Sequence, residues 1–150
     1  MTKRMMAALV ALAGLFIALY LTLYKLGVIG QITCSIGSCE TVQTSRWATF
    51  LGLPVAAWGV GYYLAVLAVT IAGSTDRWAD SRGVSLVLLA LTGWGALFSA
   101  WLTYLELFVI DAICQWCVVS ALLSLVLLVL AVLDYRELRL EADPVGGEAA

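Results

Sequence analysis

The chain has no histidine. That absence excludes Ser-His-Asp and Cys-His catalysis, His-ligated haem and His-based metal sites together. Charge is scarce as well: 12% of residues are Asp, Glu, Lys or Arg, where a soluble domain carries about 25%. The balance is close to neutral, 8 Lys and Arg against 10 Asp and Glu, so there is no basic surface to hold nucleic acid. What is abundant is apolar surface. At 63% apolar and a mean hydropathy of +1.02, a soluble globular domain is excluded. Four cysteines remain as the reactive groups.

The few charges divide the chain into uncharged runs. Twenty residues separate Arg4 from Lys25, 29 separate Arg46 from Asp76, 23 separate Arg82 from Glu106 and 22 separate Asp111 from Asp134. A helix crossing the hydrocarbon core needs about 20, so each run is long enough. Gly52-Leu53-Pro54 places the start of the second helix near Pro54, since proline suits the first turn. The expected spans are 5–24, 54–72, 84–105 and 112–133, with a short polar cytoplasmic tail over 134–150: a single all-α domain, a four-transmembrane-helix bundle. A cleaved signal peptide ending near Ala11-Leu12-Ala13 fits poorly, because only Met5 to Val10 would remain as its apolar core.

Basic residues in short loops stay on the cytoplasmic side. Lys3 and Arg4, Arg77 and Arg82, and Arg136 and Arg139 flank one end of the bundle, against Lys25 and Arg46 in the first loop. Both termini are therefore expected in the cytoplasm. The long first loop, Lys25 to Thr49, and the short turn Glu106 to Asp111 then face the oxidising side. All four cysteines fall there: Cys34 and Cys39 in the loop, Cys114 and Cys117 where the last helix begins. Disulfides persist outside the cytoplasm, so the clustering points to disulfide chemistry, with all three connectivities open.

Cys114-Gln115-Trp116-Cys117 has the spacing of surface neighbours on a helix, which lets a dithiol close. With Asp111 as the expected N-cap, Cys114 falls in the first turn, where free N–H groups and the helix dipole favour a thiolate, the attacking species in exchange. Cys117 sits one turn deeper, in reach of a lipid-soluble acceptor such as a quinone. Cys34-Ser35-Ile36-Gly37-Ser38-Cys39 is Gly and Ser rich and suits a mobile pair that carries electrons between a soluble dithiol and the membrane.

Four helices, a loop cysteine pair and a CxxC opening the last helix resemble the vitamin K epoxide reductase (VKOR) family, particularly its bacterial members. Glu40 to Trp47, with Ser45 in Ser-Arg-Trp, resembles the family's loop and short half-helix, and Gly52-Leu53-Pro54 continues the likeness over residues 5 to 133. The resemblance implies a relay. Cys34 and Cys39 accept electrons from a thioredoxin-fold, DsbA-like partner, Cys39 exchanges with Cys114, and Cys117 passes electrons to a membrane quinone, menaquinone or ubiquinone. Val42, Ser45 and Trp47 would help close the quinone pocket; no metal or haem is implied. It also implies a bacterial cytoplasmic membrane. Many bacterial relatives carry a fused thioredoxin-like domain; here the polar tail from Asp134 to Ala150 implies a separate partner. Animal relatives have a tyrosine four residues after the second CxxC cysteine, where this chain has Ala121, so quinone reduction is the expectation ahead of epoxide reduction. The DsbB group runs the same chemistry with its CxxC early and its second pair late, the reverse of the order here.

Other readings compete. Cys34 and Cys39 alone would serve equally in a structural disulfide of a membrane scaffold or small transporter. A bond inside one helical turn, by contrast, closes too short a loop to stabilise much. A zinc site would join pairs far apart in sequence in an oxidising compartment, and c-type haem needs a histidine where Val118 stands. Ala57 with Gly61, and Gly95 with Ser99, have helix-packing spacing. Trp47, Trp78, Trp101 and Trp116 read as interfacial anchors. Glu106 and Asp111 border the third turn, where a carboxylate would suit a proton relay to a quinone; the plainer reading, solvated boundary charges with no role beyond the cap, is the one expected.

Overall fold

The computed structural model describes residues 2–143. Its framework is four long helices: α1 (Thr2–Lys25), α3 (Val55–Gly73), α4 (Arg82–Leu105) and α5 (Gln115–Ala142). Between α1 and α3 lies the short helix α2 (Cys39–Thr44), followed by a 3-10 turn at Arg46–Ala48. The four membrane-length segments are Lys3–Lys25, Val55–Gly73, Arg82–Ile110 and Gln115–Ala142. An all-α, four-helix membrane fold is thus what the uncharged runs indicated.

Several boundaries differ from the sequence reading. Pro54 is the N-cap of α3, next to the start expected for that helix. It also ends a two-residue strand, Leu53–Pro54, paired antiparallel with Thr49–Phe50. Leu51 and Gly52 at the tip both have positive φ, 52° and 80°, as a tight primed turn requires. The fourth helix begins at Gln115 and continues through Ala142, so the expected tail is helical as far as that residue; residues 144–150 lie outside the described part. Hydropathy marks where the membrane ends, whereas helix propensity carries on through Glu137-Leu138-Arg139-Leu140-Glu141-Ala142.

The core lies along the middle of the bundle. α1 packs on α3 and α5, and α4 on α5, around Ala7, Ala11, Leu15, Ala18, Tyr63, Val66, Leu88, Leu127 and Ala131. Small residues set the approach of the helices. A Cβ at Gly14 would overlap the Tyr63 ring and one at Gly95 the Tyr62 ring, so each glycine is a socket for an aromatic. Gly61 has nothing within 4 Å of a Cβ position; it lines an open cavity and is not a packing site. Two buried threonine hydroxyls are satisfied within their own helices, Thr70 donating to the Val66 carbonyl at 2.9 Å and Thr92 to that of Leu88 at 2.8 Å, as expected where water is absent.

Both described ends and the α3–α4 loop meet at one end of the bundle. Arg4 and Asp134, read from sequence as flanking charges, are both buried there. Arg4 Nε donates to both Asp134 oxygens at 3.0 and 3.2 Å, Nη2 to Ser85 Oγ at 3.1 Å, and Nη1 to the Gly73 carbonyl. One guanidinium thereby ties all four long helices. Its five donors and planar fork suit such a junction. The cysteines occupy the opposite end.

Candidate functional site

Helix α4 does not stop at Leu105. It widens into one π-helical turn, Glu106–Ile110, closed by Asp111 in the left-handed conformation, φ 53° and ψ 33°. The widened turn rotates Glu106 inward, where it is 4% exposed. Asp111 therefore ends α4 and does not cap α5. The N-cap of α5 is Cys114 itself, and the backbone N–H of Cys114 donates to Glu106 Oε2 at 3.0 Å. A carboxylate from the preceding helix takes the place of the expected aspartate cap.

Against this corner the first loop docks by backbone contacts. Gly37 forms an antiparallel bridge with Cys114, and the Ser38 N–H donates to the Ile113 carbonyl at 2.8 Å. Gly37 has φ +87°, and a Cβ there would overlap the Ile113 carbonyl oxygen, so only glycine fits. Side chains add to the docking. Gln115 Oε1 accepts from the N–H groups of Ser35 and Ile36, both at 3.1 Å, and Trp116 Nε1 donates to the Thr33 carbonyl at 2.7 Å. Trp116 also meets the Tyr20 ring edge-on at 5.6 Å. It is a clamp on the loop as well as an aromatic at the boundary.

The four cysteines converge. Cys34 and Cys39 form a disulfide, with Cα atoms 6.1 Å apart, while Cys114 and Cys117 are free thiols. Cys39 and Cys114 are fully buried in one cluster with Val42, flanked by Cys34 and Cys117. Gln43, buried on α2, points its amide at the dithiol: Nε2 lies 3.5 Å from Cys117 Sγ and 4.0 Å from Cys114 Sγ. The Cys117 thiol hydrogen-bonded to Cys114 brings the Cys114 thiol down from its ordinary value to about 7, against the opposing effects of burial and of the Glu106 charge. A thiol held near neutrality is a competent nucleophile at physiological pH. The cause is the partner thiol first, rather than the helix dipole expected from sequence.

Next to the cysteines is an apolar cavity of about 690 Å³, within the range of small-molecule sites. Its wall includes Cys117, and α2 and the 3-10 turn contribute Val42, Ser45 and Trp47, the three residues singled out from the resemblance. Ala121, at the position of the animal tyrosine, also lines it. The Tyr62 hydroxyl is buried with no hydrogen-bond partner among the described residues, and Tyr62 lies on the same wall. Ser45 turns its own hydroxyl to the Val42 carbonyl at 2.7 Å, which closes α2. Nothing in the sequence marks Gln43 or Tyr62; Glu106 stands out there as a carboxylate at the third turn, but its burial does not.

A multi-pass membrane bundle that sets a closed disulfide beside a buried dithiol, at the mouth of an apolar cavity, is the architecture of a membrane thiol oxidoreductase. The vitamin K epoxide reductase family model matches residues 5–132, and the chain belongs to that family. The family's general chemistry is thiol–disulfide oxidoreduction coupled to quinones.

Proposed function

We propose that this protein oxidises a separate thioredoxin-fold, DsbA-like dithiol and passes the electrons to a membrane quinone, supporting disulfide formation outside the cytoplasm. The observation that carries the reading is the placement of a disulfide and a dithiol in one buried cluster, with Cys117 also on the wall of the apolar cavity. The outer pair, Cys34 and Cys39, takes electrons from the partner by thiolate attack and exchange. The reduced outer pair then exchanges with an inner Cys114–Cys117 disulfide: the Cys39 thiolate attacks Cys114 and frees the Cys117 thiolate, Cys34 attacks Cys39 and frees Cys114, and the quinone reoxidises the Cys114/Cys117 dithiol. Two thiols lose two protons and two electrons, and the quinone gains both as quinol.

The cavity fits that substrate. It is almost wholly apolar, as a quinone ring and its tail require, and the unpartnered Tyr62 hydroxyl supplies a donor for a ring carbonyl. Val42, Ser45 and Trp47 close it on the cysteine side. The excess of basic residues at the Arg4 end supports a topology with that end in the cytoplasm and the cysteines outside it, and the likeness to bacterial members favours a bacterial inner membrane. Ala121 leaves the wall without the tyrosine of animal relatives, which favours quinone over epoxide reduction.

The test is a trapped intermediate. Cys117→Ala, and separately Cys34→Ala, should accumulate a Cys39–Cys114 bond that mass spectrometry of non-reduced peptides identifies. Absence of that bond from both variants refutes the relay and returns the chain to a scaffold with a structural disulfide.

A further inference from the structure

Glu106 is the buried ionisable side chain that the relay leaves without a task. Burying a carboxylate is costly unless it is paired or hydrogen-bonded, and among the described residues no Lys or Arg forms an ion pair with it. Its fixed bond is the one accepted from the Cys114 N–H. Two cavities meet at this residue. Glu106 lines the large apolar cavity, with Cys117 on the wall of the same cavity, and it lines a second pocket of about 340 Å³ with Gly37, Ser38 and Asp111 on the cysteine-bearing face. Among the described residues no other borders both.

The geometry points to Glu106 as the proton carrier between the Cys114/Cys117 dithiol and the quinone, a role that rests on the function proposed above. Oxidising the dithiol breaks two S–H bonds and forms one S–S bond. Two electrons go to the quinone, and two protons must follow them through a cavity whose wall is nearly all apolar. The Glu106 carboxylate takes the Cys117 proton as the sulfur gives up its electrons, then donates it to the nearer quinone oxygen. The Cys114 proton follows by the same route in a second transfer, and Glu106 ends as the carboxylate it began as. The groups that face it and titrate are Cys114 and Cys117 on the inner side and Asp111 across the outer pocket, through which it exchanges with water.

Glu106→Gln separates this role from a structural one, because the amide oxygen still accepts the Cys114 N–H but takes up no proton. In nanodiscs, E106Q should form the Cys39–Cys114 bond in a Cys117→Ala background at least as fast as its parent, since the lost charge opposed the Cys114 thiolate, yet make quinol about 10²-fold more slowly with Cys117 present, the usual scale of a lost acid–base group. Glu106→Asp should recover part of the rate. Redox-difference infrared spectroscopy of the native chain gives a readout independent of any variant: a protonated carboxyl band that rises on dithiol oxidation and decays as quinol forms. Quinol formation by E106Q at the native rate, equal loss of exchange and quinol formation, or no carboxyl band would each overturn the assignment. Failure of the native chain itself to make quinol would remove the underlying function, and the assignment with it.

Discussion

Replacing Gly37 with alanine should uncouple the two cysteine pairs without unfolding the bundle. The residue holds φ +87° and its missing Cβ makes room for the Ile113 carbonyl. Placing an L side chain in left-handed backbone costs about 1–2 kcal/mol. Relieving the overlap pulls the loop from Ile113, with loss of the Ser38 to Ile113 hydrogen bond, about 1 kcal/mol more. Together this is about 2–3 kcal/mol against the docked loop. At about 1.4 kcal/mol per tenfold, Cys39 should meet Cys114 about 30- to 140-fold less often. The assay is the rate of Cys39–Cys114 formation in Cys117→Ala, compared with Cys117→Ala/Gly37→Ala, by quenching and mass spectrometry. Thermal unfolding should be nearly unchanged, since Gly37 lies far from the core around Tyr63 and Leu127. A rate within about threefold of the parent would refute the claim that the Gly37–Cys114 bridge delivers Cys39 to Cys114.

Other outcomes follow from the same structure. With Cys114 held at about 7, its alkylation should rise with pH, because the thiolate reacts, and level off above pH about 8. In Cys117→Ala the curve should move to higher pH, and an unmoved curve would show that Cys117 is not what lowers it. Asp134→Ala strands a buried Arg4 charge and should cost about 3–5 kcal/mol, measured by unfolding in mixed micelles; a loss under about 1 kcal/mol would mean the charge is solvated. Tyr62→Phe should raise the KM for quinone about fivefold with kcat little changed, the effect of losing one hydrogen bond; an unchanged KM would place the quinone away from Tyr62.

The sequence was most informative where one physical quantity decides the outcome. Uncharged runs of sufficient length sufficed for four membrane helices, since a charge in hydrocarbon is costly, and cysteine spacing located both halves of the site. The rest depends on geometry that no local pattern encodes. Glu106 borders an uncharged run, as a solvated charge would, and only the π-helical turn after Leu105 carries it inside. Asp111 has the chemistry of an N-cap, but the left-handed backbone that ends α4 uses it three residues too early. Arg4 and Asp134 lie 130 positions apart, and each alone reads as a membrane-flanking charge. Gln43 sits among ordinary loop polar residues until α2 packs against the CxxC. The family likeness, carried by motifs rather than periodicity, pointed to Val42, Ser45 and Trp47, and all three line the cavity.

The most direct test of the account is anaerobic reduction of a water-soluble quinone analogue by the purified protein with a dithiol donor, comparing the native chain with Cys117→Ser. The account predicts quinol formation by the native chain and its loss in the variant, since Cys117 both belongs to the dithiol and lines the cavity. Equal rates in the two proteins, or none in either, would contradict electron transfer from this dithiol to a quinone.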